Sequence, residues 1–316
     1  MNNNPIKHHW VPASYQFPFA SRPNLSQARE SFIWVLDVDS KKNREDKLEN
    51  VFIKKNLYTI DIDGQKSYHI EESLAGIEGS YAELFSTTIA KLEPLSEEQR
   101  VMLAVFTAAM LLRTRKFESV LQRFYGELTG MSKQIAMSKG IKSKTVDQLE
   151  DLQKGILPKN LEYSLEPIAN VLYKMSIVFL IASSKSYYIS SDNPCFFYDP
   201  SAYKLPLFYQ GVGLSNINTE VFMPLSPKIS LLLTWHNVSG YLSIDNATVN
   251  EQNRMIVGHA AKQIISHSNK IKYIWFSKCP LQPRRILSIY FYRLKHIFLK
   301  HWINLKLKVK NNRRGR

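Results

Sequence analysis

Two adjacent imidazoles, His8 and His9, lie near the start of a 316-residue chain, within Lys7-His8-His9-Trp10-Val11-Pro12 and just ahead of Tyr15, Phe17 and Phe19. Histidine is the commonest metal ligand and a natural general base near neutral pH. In an extended segment successive side chains point to opposite faces, so one of the pair turns into the fold and the other out. A quieter reading is open too: one imidazole bonds a backbone carbonyl while the other stacks on Trp10 or Tyr15. Glu78 is the next candidate, because at helical spacing it shares a face with Leu74, Tyr81 and Phe85. A carboxylate on an apolar stripe has to be ion-paired, metal-bound or protonated, since an isolated buried charge is very costly. Glu71 lies seven residues earlier on the same side, and Arg113 follows a long apolar run, so an Arg113–Glu78 ion pair and a metal ligand are both open. Asp192 belongs to Ser191-Asp192-Asn193-Pro194, where Pro194 favours extended geometry at Asn193 and the Asp-Asn pair favours a turn. That turn is either purely architectural or a rigid mount presenting Asp192 at a strand end.

The candidate catalytic set is therefore His8, His9, Glu78, Arg113 and Asp192. His9, Glu78 and Asp192 suit a divalent metal such as Mn, Fe or Zn, which would polarise a phosphodiester and generate hydroxide, with Arg113 as an anion clamp. The chain has no Walker loop, no His-Glu-x-x-His, no dinucleotide fingerprint and no paired Cys-x-x-Cys. Gly211-Val212-Gly213 lacks the third glycine of a nucleotide-binding turn.

The elements that must hold these residues follow from hydrophobic period. Ser31–Asp39 and Asn56–Asp63 read as strands, able to pair across a charged exposed loop at Lys41–Asn50. From Glu71 the period turns helical through Leu74, Ile77, Tyr81, Leu84 and Ile89. Ser96 followed by Glu97, Glu98 and Gln99 caps a second helix, apolar nearly all round from Val101 to Leu112 and expected to continue towards Leu128. Met131–Lys159 is polar and lysine-rich, with a short helix at Thr145–Lys154. Leu165–Ala182 reads as a buried helix. Then Ser186–Ser190, Cys195–Tyr198, Thr219–Met223 and Ile229–Trp235 read as strands, Val249–Ser266 as a helix and Lys272–Phe276 as a closing strand. The expected fold is α+β, a mixed sheet packed on a bundle of long buried helices, with residues 1–280 as one domain.

Residues 281–316 have a separate character. Leu287, Phe291, Leu294, Phe298, Trp302, Leu305 and Val309 recur at helical spacing, with Arg293, Lys295, Lys300 and Lys306 largely off that stripe. This predicts a basic amphipathic C-terminal helix. The net charge of +15 is concentrated here: from Gln252 onward there are 16 Lys and Arg and no Asp or Glu, leaving 26 of the 42 bases to face 27 acids elsewhere. Such asymmetry speaks of partners rather than fold. Nucleic acid is the expected partner, gripped by Arg293, Lys295, Lys300, Arg313, Arg314 and Arg316. An anionic membrane surface is the alternative, peripheral to an inner membrane. Cys195 and Cys279 lie far apart, no secretory signal opens the chain and no apolar run is long enough to span a bilayer; these favour a reducing cytoplasm.

The Lys7–Pro12 motif with Tyr15 and Phe19 resembles the opening of a bacterial family, domain of unknown function 4238. The likeness continues through Asn56-Leu57-Tyr58, Leu74-Ala75-Gly76-Ile77-Glu78, Arg113-Thr114, Ser191–Pro194, Pro224-Leu225-Ser226-Pro227 and the region of Asn250 and Asn253, covering roughly residues 7–277. Where that family usually has Gln-Phe-Tyr-Leu-Arg after the proline, this chain has Ala13-Ser14-Tyr15-Gln16-Phe17. The resemblance implies a bacterial accessory genome and a conflict or phage-defence setting, but no reaction. From the residues themselves the expected function is a metal-dependent, nuclease-like hydrolase of nucleic acid or nucleotide, against a non-enzymatic protein binding nucleic acid or a membrane surface.

Overall fold

The computed structural model describes residues 7–62, 65–141, 144–153, 155–200 and 213–277. The opening motif folds as a short strand β1 (Lys7–His9), a single helical turn α1 (Ala13–Gln16) and a 3-10 turn at Phe17–Phe19. Strands β2 (Phe32–Asp37), β3 (Asn43–Lys47), β4 (Ile53–Lys55), β5 (Ile60–Ile62) and β6 (Gln65–Ser67) follow. Helices come next: α2 (His69–Leu84), ending in a π-helical turn, α3 (Glu97–Leu112), α4 (Arg115–Ser138), α5 (Lys144–Gln153) and α6 (Ile156–Tyr173). The second half holds β7 (Ser176–Ala182), β8 (Ser190–Ser191), β9 (Phe196–Tyr198), β10 (Glu220–Pro224), β11 (Ile229–Thr234), β12 (Gly240–Ile244), α7 (Asn246–His259) and β13 (Gln263–Ser266).

Two main sheets carry the fold. One has the order β12-β7-β11-β10-β9, with β12 parallel to β7 and the other pairs antiparallel; the other has the order β3-β2-β13-β8. The pairs β1-β4 and β5-β6 are separate. The larger sheet is buried on both faces. Ile177, Phe179, Val221, Met223, Leu231 and Leu233 enter one core with Phe106, Met110 and Tyr15, while Val178, Leu180, Phe222 and Leu232 enter another with Val249 and Ile256 of α7. The fold is α+β, with a mixed sheet against buried helices.

Five elements depart from the local pattern. The run expected as one helix, Leu165–Ala182, splits into α6 and β7, because a strand buried on both faces is as continuously apolar as a buried helix. Val249–Ser266 divides likewise into α7 and β13, and Lys272–Phe276 closes as a 3-10 turn at Tyr273–Phe276 rather than a strand. The charged segment expected as a loop forms the edge strand β3, whose charges keep an open sheet edge soluble. The central helix is interrupted: the capping box predicted at Ser96 starts α3, with Ser96 Oγ accepting from Gln99 N–H, but Thr114 Oγ1 caps a new helix by accepting from Phe117 N–H. Arg113 occupies that junction. The basic amphipathic helix expected over residues 281–316, with Arg293, Lys295, Lys300, Arg313, Arg314 and Arg316, lies outside the described residues. No helix among the described residues is long and apolar enough to cross a membrane.

Candidate functional site

Strand β1 pairs antiparallel with β4, setting His8 opposite Lys54 and His9 opposite Ile53. The alternation of an extended strand leaves Lys7 exposed, His8 buried and His9 half-buried. His8 stacks flat on Tyr58, with ring centroids 5.7 Å apart and planes 7° from parallel. Tyr58 N–H donates to His8 Nδ1 at 3.1 Å, so the imidazole proton belongs on Nε2. That Nε2 lies 2.6 Å from Glu71 Oε2. The approach is close but not in line, because Oε2 is buried without a hydrogen bond of good geometry.

Helix α2 presents both acids of the site. Glu71 and Glu78 are seven residues, hence two turns, apart on one face. Glu78 Oε1 accepts from Arg113 Nη1 at 2.8 Å. Arg113, 2 % exposed, also donates from its other two nitrogens to protein groups: from Nε to Tyr58 Oη at 3.2 Å and from Nη2 to the His9 carbonyl at 2.7 Å. The break between α3 and α4 is what turns this side chain inward, and it ties β1, α2 and the Tyr58 loop to the helical bundle. Burial works against its charge, but Tyr58 and Glu78 outweigh that and raise its pKa. His9 Nε2 meets the Leu48 carbonyl at 3.1 Å, and burial holds its pKa below the ordinary value.

The cleft between these groups is lined by Lys7, His8, Arg29, Glu71, Glu78 and Arg113, among others, with about 60 Å³ of room. One water needs roughly 10–15 Å³ of such room, so the cleft admits a few waters or one small polar group, not a nucleobase. Arg29 is exposed at its mouth and makes no ion pair among the described residues. Glu71 is the group with the altered acidity: burial, with the neighbouring Glu78 charge, raises its pKa to about 7.

That shift has a stability consequence with a definite sign. A carboxyl whose pKa rises from 4.5 to about 7 on folding contributes stability that is fully present below pH 4.5 and lost as the pH climbs through 7. The side chain is 20 % exposed, so after discounting for solvent the contribution is about 1–2 kcal/mol. Glu71→Gln should flatten the fall in unfolding free energy between those pH values, measured by urea unfolding. Parallel pH profiles for the two proteins would contradict the assignment.

The structure thus brings together His8, His9, Glu78 and Arg113 of the expected set and leaves Asp192 out. Asp192 turns onto a loop: Oδ1 accepts from Ala261 N–H at 2.7 Å, and Oδ2 from Lys262 and Gln263 N–H at 2.8 and 3.1 Å. Burial raises its pKa against the pull of those three donors. Its backbone carbonyl receives Trp10 Nε1–H at 3.2 Å, and Asn193 Nδ2 donates to the His259 carbonyl at 3.0 Å, so this turn fastens the opening motif to the end of α7. The expected metal set of His9, Glu78 and Asp192 does not converge, since His9 Nε2, Glu78 Oε1 and both Asp192 carboxylate oxygens are turned to protein partners. Among the described residues no group of three or more His, Cys, Asp or Glu is placed to hold a metal ion. Three contributors escaped the sequence reading as site residues. Glu71 was visible as a same-face acid, Tyr58 by its place in Asn56-Leu57-Tyr58, and Arg29 gave no signal.

No curated protein and no solved structure matches the chain. A family model described as a protein of unknown function (DUF4238) matches residues 7–270, spanning β1 through β13 and hence the whole cleft, and the chain belongs to that family.

Proposed function

We propose that the cleft is a general acid–base site for hydrolysis of an anionic substrate, a phosphodiester of nucleic acid or a nucleotide. One observation carries this reading: a carboxyl group, Glu71, with a proton affinity near neutrality at the mouth of a cleft that also holds an uncommitted arginine, Arg29. In this reading ionised Glu71 takes the proton from a water attacking phosphorus, the bond to the leaving oxygen breaks, and Glu71 returns the proton. His8 is a positioning residue that holds the Glu71 carboxyl, and Arg29 with Lys7 receives the phosphoryl charge. The limited room suits the phosphoryl edge and its water, with the rest of the substrate outside. The basic C-terminal fifth supports a polyanionic substrate. A metal on His9, Glu78 and Asp192 forms no part of this reading.

A fluorogenic phosphodiester and short DNA and RNA strands are the substrates for its test. Glu71→Gln should lower kcat by roughly 10²–10⁴-fold, and Arg29→Ala should raise KM with a smaller change in kcat. Equal turnover by the parent and Glu71→Gln would end the proposal. A second reading, a binding protein without catalysis, draws on Arg113, each of whose three nitrogens donates to a protein group as in a structural latch. It expects no turnover from the parent and loss of polyanion retention when Arg313, Arg314 and Arg316 are replaced.

A further inference from the structure

Beyond the end of β2, where the turn into β3 meets α7 and the 3-10 turn at Tyr273–Phe276, lies a groove that shares no residue with the cleft. It consists of two adjoining cavities of about 450 and 250 Å³, with Lys41 and Phe276 in the wall of both. The larger is also lined by Val38, Arg254 and Met255, the smaller by Asn43, Asn269 and Tyr273. The cleft has no room for a nucleobase, whereas this groove falls within the roughly 300–1,000 Å³ of small-molecule sites. Lys41 stands in the left-handed region (φ 55°), its N–H donating to the Asp37 carbonyl at 2.9 Å, and its ammonium lies 5.6 Å from the centre of the Phe276 ring. Arg254 is fixed by Nε on the Ile274 carbonyl at 3.1 Å and Nη1 on Glu251 Oε2 at 2.8 Å, and neither bond uses Nη2. Tyr273 is 85 % exposed. Asn43 and Asn269 are exposed too, and their side-chain amides make no hydrogen bond among the described residues.

Charge and shape together select the occupant. Glu251 is the one carboxylate among the wall residues and is paired with Arg254, while Asp37 and Asp39 of the β2–β3 turn line neither cavity. Lys41 makes no ion pair among the described residues, so its charge is left for a ligand. A purely apolar ligand would leave that charge and both amides unmatched, and an inorganic anion would leave the rings bare. Residues 278–316 contain no Asp or Glu, so the chain's own continuation offers Lys41 no counter-charge. A nucleobase stacks on aromatic rings and hydrogen-bonds amides along its edge, and the phosphate attached to it seeks a cation.

We propose that this groove binds a nucleoside phosphate, with the base against Tyr273 and Phe276 beside Asn43 and Asn269, and the phosphate on Lys41 and Arg254. The site stands whether or not the cleft is catalytic. The test is calorimetry on the full chain with AMP, GMP, CMP and UMP, alongside adenosine, inorganic phosphate and a short single strand of oligo(dA). A free nucleotide should bind one to one and more tightly than adenosine or phosphate alone. A strand that binds where no free nucleotide does would place the same chemistry in a polynucleotide. Tyr273→Ala should weaken binding by about tenfold. Lys41→Gly, which suits the left-handed backbone, should weaken it by about tenfold as well. The Tm of both variants without ligand should be no lower than the parent's, since one side chain is exposed and the other change relieves the backbone. Glu71→Gln and Arg29→Ala should bind like the parent, which separates this groove from the cleft. The proposal fails if neither free nucleotide nor strand binds, or if either Tyr273→Ala or Lys41→Gly binds like the parent. It fails equally if Arg29→Ala abolishes binding, which would put the nucleotide in the cleft.

Discussion

Arg113→Met should destabilise the protein by about 3–5 kcal/mol, the cost of removing one partner from a buried ion pair. The guanidinium is 2 % exposed and serves Glu78, Tyr58 and the His9 carbonyl together, so its loss strands a carboxylate, a hydroxyl and a main-chain acceptor in one place. Most of the cost is the abandoned partners rather than the net worth of the pair, since taking two charges out of water offsets much of their attraction. A double-mutant cycle separates these. Arg113→Met/Glu78→Leu removes both charges and should be less destabilised than the sum of the single variants, with a coupling of about 1–3 kcal/mol. Urea unfolding followed by tryptophan fluorescence measures all three. A loss below about 1 kcal/mol for Arg113→Met would show that the latch contributes little, and additive single effects would show that Glu78 is indifferent to it.

Asp192→Ala comes next in size, at about 2–4 kcal/mol, because three N–H groups lose a charged acceptor at once and hydrogen bonds to charged groups are the stronger kind. Asp192→Asn keeps one oxygen acceptor and should fall between the parent and the alanine variant. The specific readout is amide hydrogen exchange: Ala261, Lys262 and Gln263 should lose protection in Asp192→Ala, while the amide of Tyr58, bonded to His8, keeps its own. Loss of protection at Tyr58 with retention at 261–263 would reverse the assignment and return Asp192 to the cleft. The two variants probe opposite ends of one construction, since Trp10 follows the histidines in sequence and bonds the Asp192 carbonyl.

The opening motif declared its burial through composition alone, because a stretch carrying so many aromatics must find a core. Glu78 on an apolar stripe required a partner by the cost of an unpaired buried charge, with Arg113 and a metal ion both open, and the tertiary contact supplied Arg113. The capping box at Ser96 and the α+β class were equally local, since both rest on spacings within one or two turns. Tertiary structure decided the rest. His8 finds Tyr58 fifty residues away, and Asp192 meets both Trp10 and the loop after α7, contacts that no local period encodes. The same holds for β7: an all-apolar run is consistent with a buried helix or a central strand, and only its neighbours β11 and β12 supply the hydrogen-bond partners that make it a strand. Acidity belongs to this second class as well. Glu71 is an ordinary glutamate in the chain, and the environment built by burial and then by Glu78, rather than the residue type, raises its pKa to about 7.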